Sequence, residues 1–352
     1  MQKIDVFTHI LPPKYLEALY KKTPKKRAEG AYYEVRRPGV RDLDMRLRIM
    51  DRYEGYGQII NIAEPTLEDV ADPELAVELA QIANDSMAEL VRKYPDKFLA
   101  AVACLPMNNM EAALKEIDRT IMELGFRGIQ IASNIMDKPL DSPEFEPLFE
   151  RMNYYQLPIL IHPRHMSSGS RSFSMRARTY VKGVAPAAKD NIGRLAQEPF
   201  NWPFETTIAM GRLVWSGLME KYPNLKIVTH HCGGLAPYQA NRIFMGQSVG
   251  EAEMYRHRDA NWHFTKRPID YYKMMYGDTA VWGNTSILMC GYDFFGVDHI
   301  LFGTDMAFGC EGGQYYLRET IRSVEQMSIP EEDKNRIFEE NPRKLFHLPV
   351  DV

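Results

Sequence analysis

The chain has 352 residues, of which 45% are hydrophobic and 26% charged, with a formal net charge of −4. That length buries a large core, as one big α/β domain or two ordinary ones. The mild acidity excludes any general electrostatic case for nucleic acid or an anionic membrane as partner.

Short apolar runs alternate with helical patterns from one end to the other. Strands are expected at Ile4–His9, Gln58–Ala63, Phe98–Cys104, Gly128–Ala132, Ile159–His162, Lys226–His230, Met274–Thr279 and Ile300–Gly303. Several are near-continuous Val/Ile/Leu runs, as suits strands buried on both faces of a parallel sheet. Helices are expected over Asp42–Tyr53, Pro73–Lys93, Asn109–Leu124, Ser142–Tyr155, Phe204–Tyr222, Gly313–Met327 and Glu331–Phe346. Eight strands alternating with helices predict a single (β/α)8 TIM barrel, one domain over residues 1–352. No Gly-x-Gly-x-x-Gly follows an early strand, so no nucleotide cofactor is expected. Leu11–Arg41 and Arg164–Pro203, after the first and fifth strands, exceed ordinary loop length. Long excursions at that end of a barrel build or cover an active site.

Cys104, Cys232, Cys290 and Cys310 are dispersed and form no C-x-x-C pair. This argues against a disulfide framework or thiolate zinc site and fits a reducing cytoplasm. No run is apolar for long enough to cross a bilayer, and the N-terminus lacks a signal-peptide pattern. The basic stretch around Lys21-Lys22 and Lys25-Lys26-Arg27 reads as solvated surface.

Metal-competent side chains stand at the C-terminal ends of four expected strands: His9, His162, the pair His230-His231, and Asp305. In a barrel these ends converge on one mouth. Two imidazoles and a carboxylate form a first-row metal site with open positions, the catalytic pattern. Adjacent residues of a regular strand face opposite ways, so only one of His230 and His231 is expected to face the mouth. Phe7 lies two residues before His9, on the same strand face, and brings no donor.

The chain resembles the amidohydrolase superfamily, in the branch of aminocarboxymuconate-semialdehyde decarboxylase and the γ-resorcylate and 5-carboxyvanillate decarboxylases. The resemblance rests on Ile4-Asp5-Val6-Phe7-Thr8-His9-Ile10-Leu11-Pro12, Arg46-Leu47-Arg48-Ile49-Met50-Asp51, Gly125-Phe126-Arg127-Gly128-Ile129-Gln130-Ile131, and Ile161-His162-Pro163. Glu205-Thr206-Thr207-Ile208-Ala209, Pro223-Asn224-Leu225-Lys226, His231-Cys232-Gly233-Gly234-Leu235-Ala236-Pro237-Tyr238 and Gly303-Thr304-Asp305 continue it. It implies one divalent metal, zinc or manganese, on His9, His162 and Asp305, with His231 as catalytic acid/base and Asp305 close enough to assist. His230 then has a structural role. Arg242, eleven residues after His231, would meet a substrate carboxylate across a homodimer or higher homo-oligomer interface.

Position 7 departs from the branch, which has histidine or glutamate there. Three readings follow: a reduced site of His9, His162 and Asp305; a substitute ligand such as Glu64 or His165; or loss of the metal. Arg164, Arg171, Arg176 and Arg178 are candidate carboxylate clamps or solvated loop residues, and Arg36, Arg37 and Arg41 are further candidates. Trp202, Trp215, Trp262, Trp282, Phe294 and Phe295 read as core or pocket lining. The expected activity is non-oxidative decarboxylation of a small aromatic or conjugated carboxylic acid. The alternatives are hydrolysis of an amide, lactone or carbon–carbon bond, and a metal-free binding or scaffold homologue.

Overall fold

A computed structural model describes residues 1–23, 37–62, 64–164, 186–243 and 264–349, and the side chains of all but 186–198 among them. His165, Arg171, Arg176, Arg178, Arg36, His257, Trp262 and His263 fall outside that set.

The eight expected strand regions all appear. In chain order they are β1 (Lys3–Ile10), β2 (Tyr56–Ile62), β3 (Phe98–Ala101) with its continuation β4 (Ala103–Cys104), β5 (Ile129–Ala132), β6 (Pro158–His162), β7 (Lys226–Thr229), β8 (Tyr276–Asp278) and β9 (Ile300–Leu301). Every pairing among them is parallel. The order is β1-β2-β3 in one sheet and β9-β8-β7-β6-β5-β4 in the other.

The expected closed barrel is therefore met in part. Among the described residues the ladder breaks between β3 and β4 at Val102, and again between β9 and β1. At the second break single backbone hydrogen bonds replace it: Val6 N donates to Phe302 O (2.9 Å) and Asp305 N to Phe7 O (3.0 Å). Two local irregularities accompany this gap. The β1–β2 register shifts between Asp5 and Thr8, and β9 ends at Leu301, just before Gly303. A Cβ on Gly303 would meet the Cβ atoms of Asp278 at 3.0 Å and Phe7 at 3.2 Å, so a close approach of three segments requires glycine there.

Helices cover the strands: α1 (Pro13–Lys22), α2 (Leu43–Met50), α3 (Pro73–Lys93), α4 (Met110–Met122), α5 (Glu146–Tyr155), α6 (Pro186–Trp215), α7 (Pro268–Lys273), α8 (Thr285–Phe295) and α9 (Gln314–Glu325). A last helical stretch, Glu331–Asn335 through Asn341–Leu345, follows. Side-chain caps explain several starts. Asp72 accepts from Leu75 N, and Asn109 from Ala112 N, each satisfying an otherwise orphaned donor; such a cap contributes about 1 kcal/mol.

The two long loops are shorter than the sequence suggests. α1 and the turn Pro38–Arg41 lie within the first, and α6 begins at Pro186 inside the second, continuing through Pro199 and Pro203. No helix of the described residues is long and apolar enough to cross a membrane.

Two apolar cores result. One lies between strands and helices. The other fills the space within the strands with Ile4, Val6, Phe7, Ile59, Leu160, Val228 and Leu301, and Leu345, Phe346 and Leu348 pack into it from the chain's end. Strand side chains alternate between these two cores.

Candidate metal centre

His9 lies on β1, His162 ends β6, His230 and His231 follow β7 directly, and Asp305 follows β9. These strand ends meet. His9 Nε2 is 3.3 Å from Asp305 Oδ1 and His230 Nε2 is 3.6 Å from the same oxygen. One donor atom each of His9, His162 and His230 fall within 4.8 Å of one another, and so do those of His230, His231 and Asp305.

Both histidines of the pair thus enter the cluster, which corrects the alternation argument. That argument needs extended backbone through residue 231, but β7 stops at Thr229. His231 (φ 55°) and Cys232 (φ 55°) are left-handed, and the turn swings the second ring back beside the first. The ring centroids lie 3.9 Å apart. Left-handed backbone costs a non-glycine residue roughly 1–2 kcal/mol, and hydrogen bonds hold the turn in place. Cys232 N donates to Asp278 Oδ1 (3.2 Å), and Leu235 N donates to Thr207 Oγ1 (2.7 Å) on α6. A Cβ on Gly234 would sit 2.1 Å from Pro203 O, so the turn packs against α6 only with glycine at that position. Asp305 (φ 61°) is left-handed as well.

The cluster rests on a buried polar floor. Asp5 accepts from Tyr56 Oη (2.6 Å), Thr304 N (3.0 Å) and Phe7 N (3.3 Å), tying β1 to the segment that carries Asp305. Burial pushes the Asp5 carboxyl up to about 7, against the pull of its Thr304 and Tyr56 hydrogen bonds. Arg46, 1% exposed, donates to Gln58 (2.7 Å) and to the His9 carbonyl, fixing the end of β1.

Charge within the cluster is divided. Burial opposes charge on His230, but the Asp278 carboxylate hydrogen-bonded to its Nδ1, with Asp305 beyond, pushes the imidazole up to about 9. Burial holds His9, His162 and His231 below the ordinary histidine value, and neighbouring imidazoles add to the effect. Asp305 is pulled far below the usual carboxylate range by His230 and His9 despite its burial.

A divalent ion suits these residues. His9 Nε2, His230 Nε2, His231 Nδ1 and Asp305 Oδ1 are buried without a well-formed hydrogen bond. Leaving four polar atoms so placed costs on the order of 1–3 kcal/mol each. Their chemistry, imidazoles and an ionised carboxylate, is that of zinc or manganese ligands, with the His230 proton displaced when the ion binds.

The other expected residues are placed as follows. Glu64 Oε1 lies 3.5 Å from His162 Nδ1, beside the ring and outside the two groups of converging donors. Arg164 is engaged by Asp69 (Nη2–Oδ1 2.5 Å) and Asp137 (Nη1–Oδ1 3.3 Å), so acidic side chains already neutralise its charge. Arg242 is exposed near the end of the described segment. Arg37 stacks over Phe308 (5.0 Å), whose ring lies 5.0 Å from His9. Trp202 and Trp282 lie beside the cluster, 6.2 Å from His162 and 5.8 Å from His231 by ring centroid. Trp215 instead packs with Phe264, and Phe294 with Phe295. A recess beside His162 is lined by Glu64, Glu68, Cys104 and Gln130 among others, and burial pushes the Glu68 carboxyl up to about 7.

Asp278 and Phe308 were not singled out from the sequence. A carboxylate closing Tyr276-Gly277-Asp278 at a strand end was the available signal for the first. Phe308 follows Asp305 in an irregular segment and gave none.

Parallel strands ringed by helices, with imidazoles and a carboxylate at the strand ends, define a metal-site α/β protein of the hydrolase–lyase kind. Residues 4–348 match the family described as Amidohydrolase, and the chain belongs to that family. It is 30% identical over 322 residues to the gamma-resorcylate decarboxylase of Polaromonas sp., covering 87% of each. It is 29% identical to the 2-amino-3-carboxymuconate-6-semialdehyde decarboxylase of Dictyostelium discoideum, covering 69% of this chain and 66% of the relative. The crystal structure of dihydroxybenzoic acid decarboxylase from Polaromonas sp., with bound manganese and the inhibitor 2-nitroresorcinol, superimposes with a TM-score of 0.73 at 26% identity, covering 99% of this chain and 98% of that one.

Proposed function

We propose that this protein is a metal-dependent, non-oxidative decarboxylase of a small aromatic carboxylic acid, built on a single (β/α)8-barrel domain. The observation that carries the reading is the set of buried donors without a hydrogen bond on His9, His230, His231 and Asp305, with His162 converging on His9 and His230, in a chain related to aromatic-acid decarboxylases. The ion, manganese or zinc, supplies Lewis-acid polarisation of substrate oxygens.

The residues divide the rest of the work. Direct loss of CO2 leaves an unstabilised carbanion on the ring, so the carbon is protonated before its carboxylate departs. His231 carries that proton. Its imidazole is neutral through burial, takes a proton from a substrate hydroxyl or water, and delivers it to the ring carbon. Asp305, held ionised, assists. Phe308, Trp202 and Trp282 flank the substrate ring and exclude water. Arg37 approaches from the rim, and the exposed Arg242 is assigned to the carboxylate of a substrate bound by a second subunit of a homodimer. The four free cysteines suit a reducing compartment.

The test is CO2 release from a panel of hydroxybenzoates by manganese- or zinc-loaded protein. His231→Ala is expected to abolish turnover while bound metal stays largely intact. Normal turnover in that variant overturns the proton-transfer assignment, and consumption of an ester or lactone without CO2 overturns the decarboxylase reading.

A further inference from the structure

The side chain at position 7 faces the cluster but offers carbon only, and what it touches is His230. The Phe7 ring stacks on the His230 imidazole with centroids 3.9 Å apart and planes 12° from parallel. We propose that His230 is itself a metal ligand, completing a set of His9, His162, His230 and Asp305, with Phe7 as the wall that orients its ring and Asp278 as the group that fixes its tautomer. This extends the metal-site reading above and rests on it.

Three independent features lead there. The first is spacing. Ligand atoms about 2.1 Å from one ion lie roughly 3.0 Å apart at right angles and 3.4 Å apart at tetrahedral angles. His9 Nε2 and His230 Nε2 stand 3.3 Å and 3.6 Å from Asp305 Oδ1, close to those separations. His230 also belongs to both groups of converging donors, which none of the other histidines does.

The second is the back of the ring. A metal-binding histidine commonly donates its remote N–H to a carboxylate, which sets the tautomer and leaves the other nitrogen's lone pair for the metal. His230 Nδ1 pairs with Asp278 Oδ2, and Asp278 is itself fixed by Cys232 N (3.2 Å) and Ala280 N (3.0 Å) on its other oxygen. With Nδ1 committed, Nε2 is the free donor, and it is the atom found buried without a hydrogen bond. His231 has no such support, because its own Nδ1 is buried without a partner.

The third is rigidity. Phe7 is fully buried and packed against Gly303, and Gly303 packs against Asp278. Ring, wall and carboxylate therefore form one block that holds the His230 donor in place. A mobile proton carrier needs rotational freedom that this block denies, which leaves His231 to serve in that role.

The experiment is a titration of metal-free protein with Co²⁺ and Mn²⁺, read as dissociation constant by calorimetry and as the Co²⁺ visible absorption band. His230→Ala is expected to weaken binding by about 100-fold or more and to change the Co²⁺ band. Asp278→Asn, with His230 retained, is expected to weaken it by about 10–100-fold. His231→Ala is expected to stay within about threefold of the unaltered protein. Phe7→His introduced into His230→Ala is expected to recover part of the affinity, because that side chain faces the same centre. Near-UV circular dichroism of each metal-free variant separates lost ligation from lost folding, and Asp278→Asn carries the test if His230→Ala does not fold. Unchanged affinity in both His230→Ala and Asp278→Asn, with affinity lost in His9→Ala, overturns the inference while leaving a metal site in place. No binding by the unaltered protein overturns the metal reading as a whole.

Discussion

Phe7→Ala is the sharpest probe of how the cluster is held. Phe7 is 0% exposed, stacks on His230 at 3.9 Å and meets the His9 ring edge-on at 5.5 Å. Truncating a fully buried phenylalanine costs about 3–5 kcal/mol in transfer and cavity terms together, and a stacked aromatic pair adds about 0.5–1.5 kcal/mol. The void would be bordered by imidazole nitrogens, so entering water offsets part of the loss and favours the lower end, about 3 kcal/mol. Against a total stability of about 5–15 kcal/mol this is a large fraction. Urea denaturation of metal-free protein at neutral pH reads it directly, and thermal unfolding is expected to show a fall in Tm of roughly 4 °C. Phe7→Leu, which keeps most of the volume and loses the stacking, is expected to lose about 1 kcal/mol. A Phe7→Ala loss below about 1 kcal/mol refutes the account of this ring as a packed wall.

Three further outcomes are expected. Glu68 has its carboxyl raised from 4.5 to about 7 by burial, so the fold favours its protonated form. Its contribution is fully present below pH 4.5 and is lost as pH rises through about 7, amounting to roughly 2–3 kcal/mol between pH 5 and 8. Glu68→Gln removes that part of the pH dependence, and parallel stability–pH curves for the two proteins contradict the burial argument. Gly303→Ala forces a methyl against Asp278 and Phe7 and is expected to cost about 1–3 kcal/mol in urea denaturation; an unchanged midpoint means the three segments do not pack as described. Manganese or zinc at 100 times its dissociation constant is expected to add about 2.7 kcal/mol of stability, reversed by chelator; a melting curve indifferent to metal and chelator counts against the site.

Much of the fold was legible because buried parallel strands are written as continuous aliphatic runs, and each expected strand was found within a few residues. Closure was not legible. The ladder gives way between β9 and β1, where β1, β8 and β9 crowd around Gly303, and no local pattern encodes that approach. His9, His162, His231 and Asp305 could be read because strand ends converge in such folds. That His230 and His231 both enter the cluster could not, because period-two alternation fails where the backbone becomes left-handed at His231. Arg164 shows a different limit. Its charge suits a substrate clamp or a solvated loop residue, and Asp69 and Asp137, distant in sequence, were invisible as its partners.

The inner core joins β1 to the last helical stretch and the residues after it. Ile4 and Val6 on β1 pack with Leu345, Phe346 and Leu348, and His9 meets Asp305 although all the other strands lie between β1 and β9 or are β9 itself. During synthesis, then, the first strand emerges long before the residues that enclose it. Intermediates with an uncovered β1 edge are exposed to misassociation. The cluster that joins His9 to Asp305 can close only after the segment carrying Asp305 has been made, so ion capture follows synthesis of every strand named above.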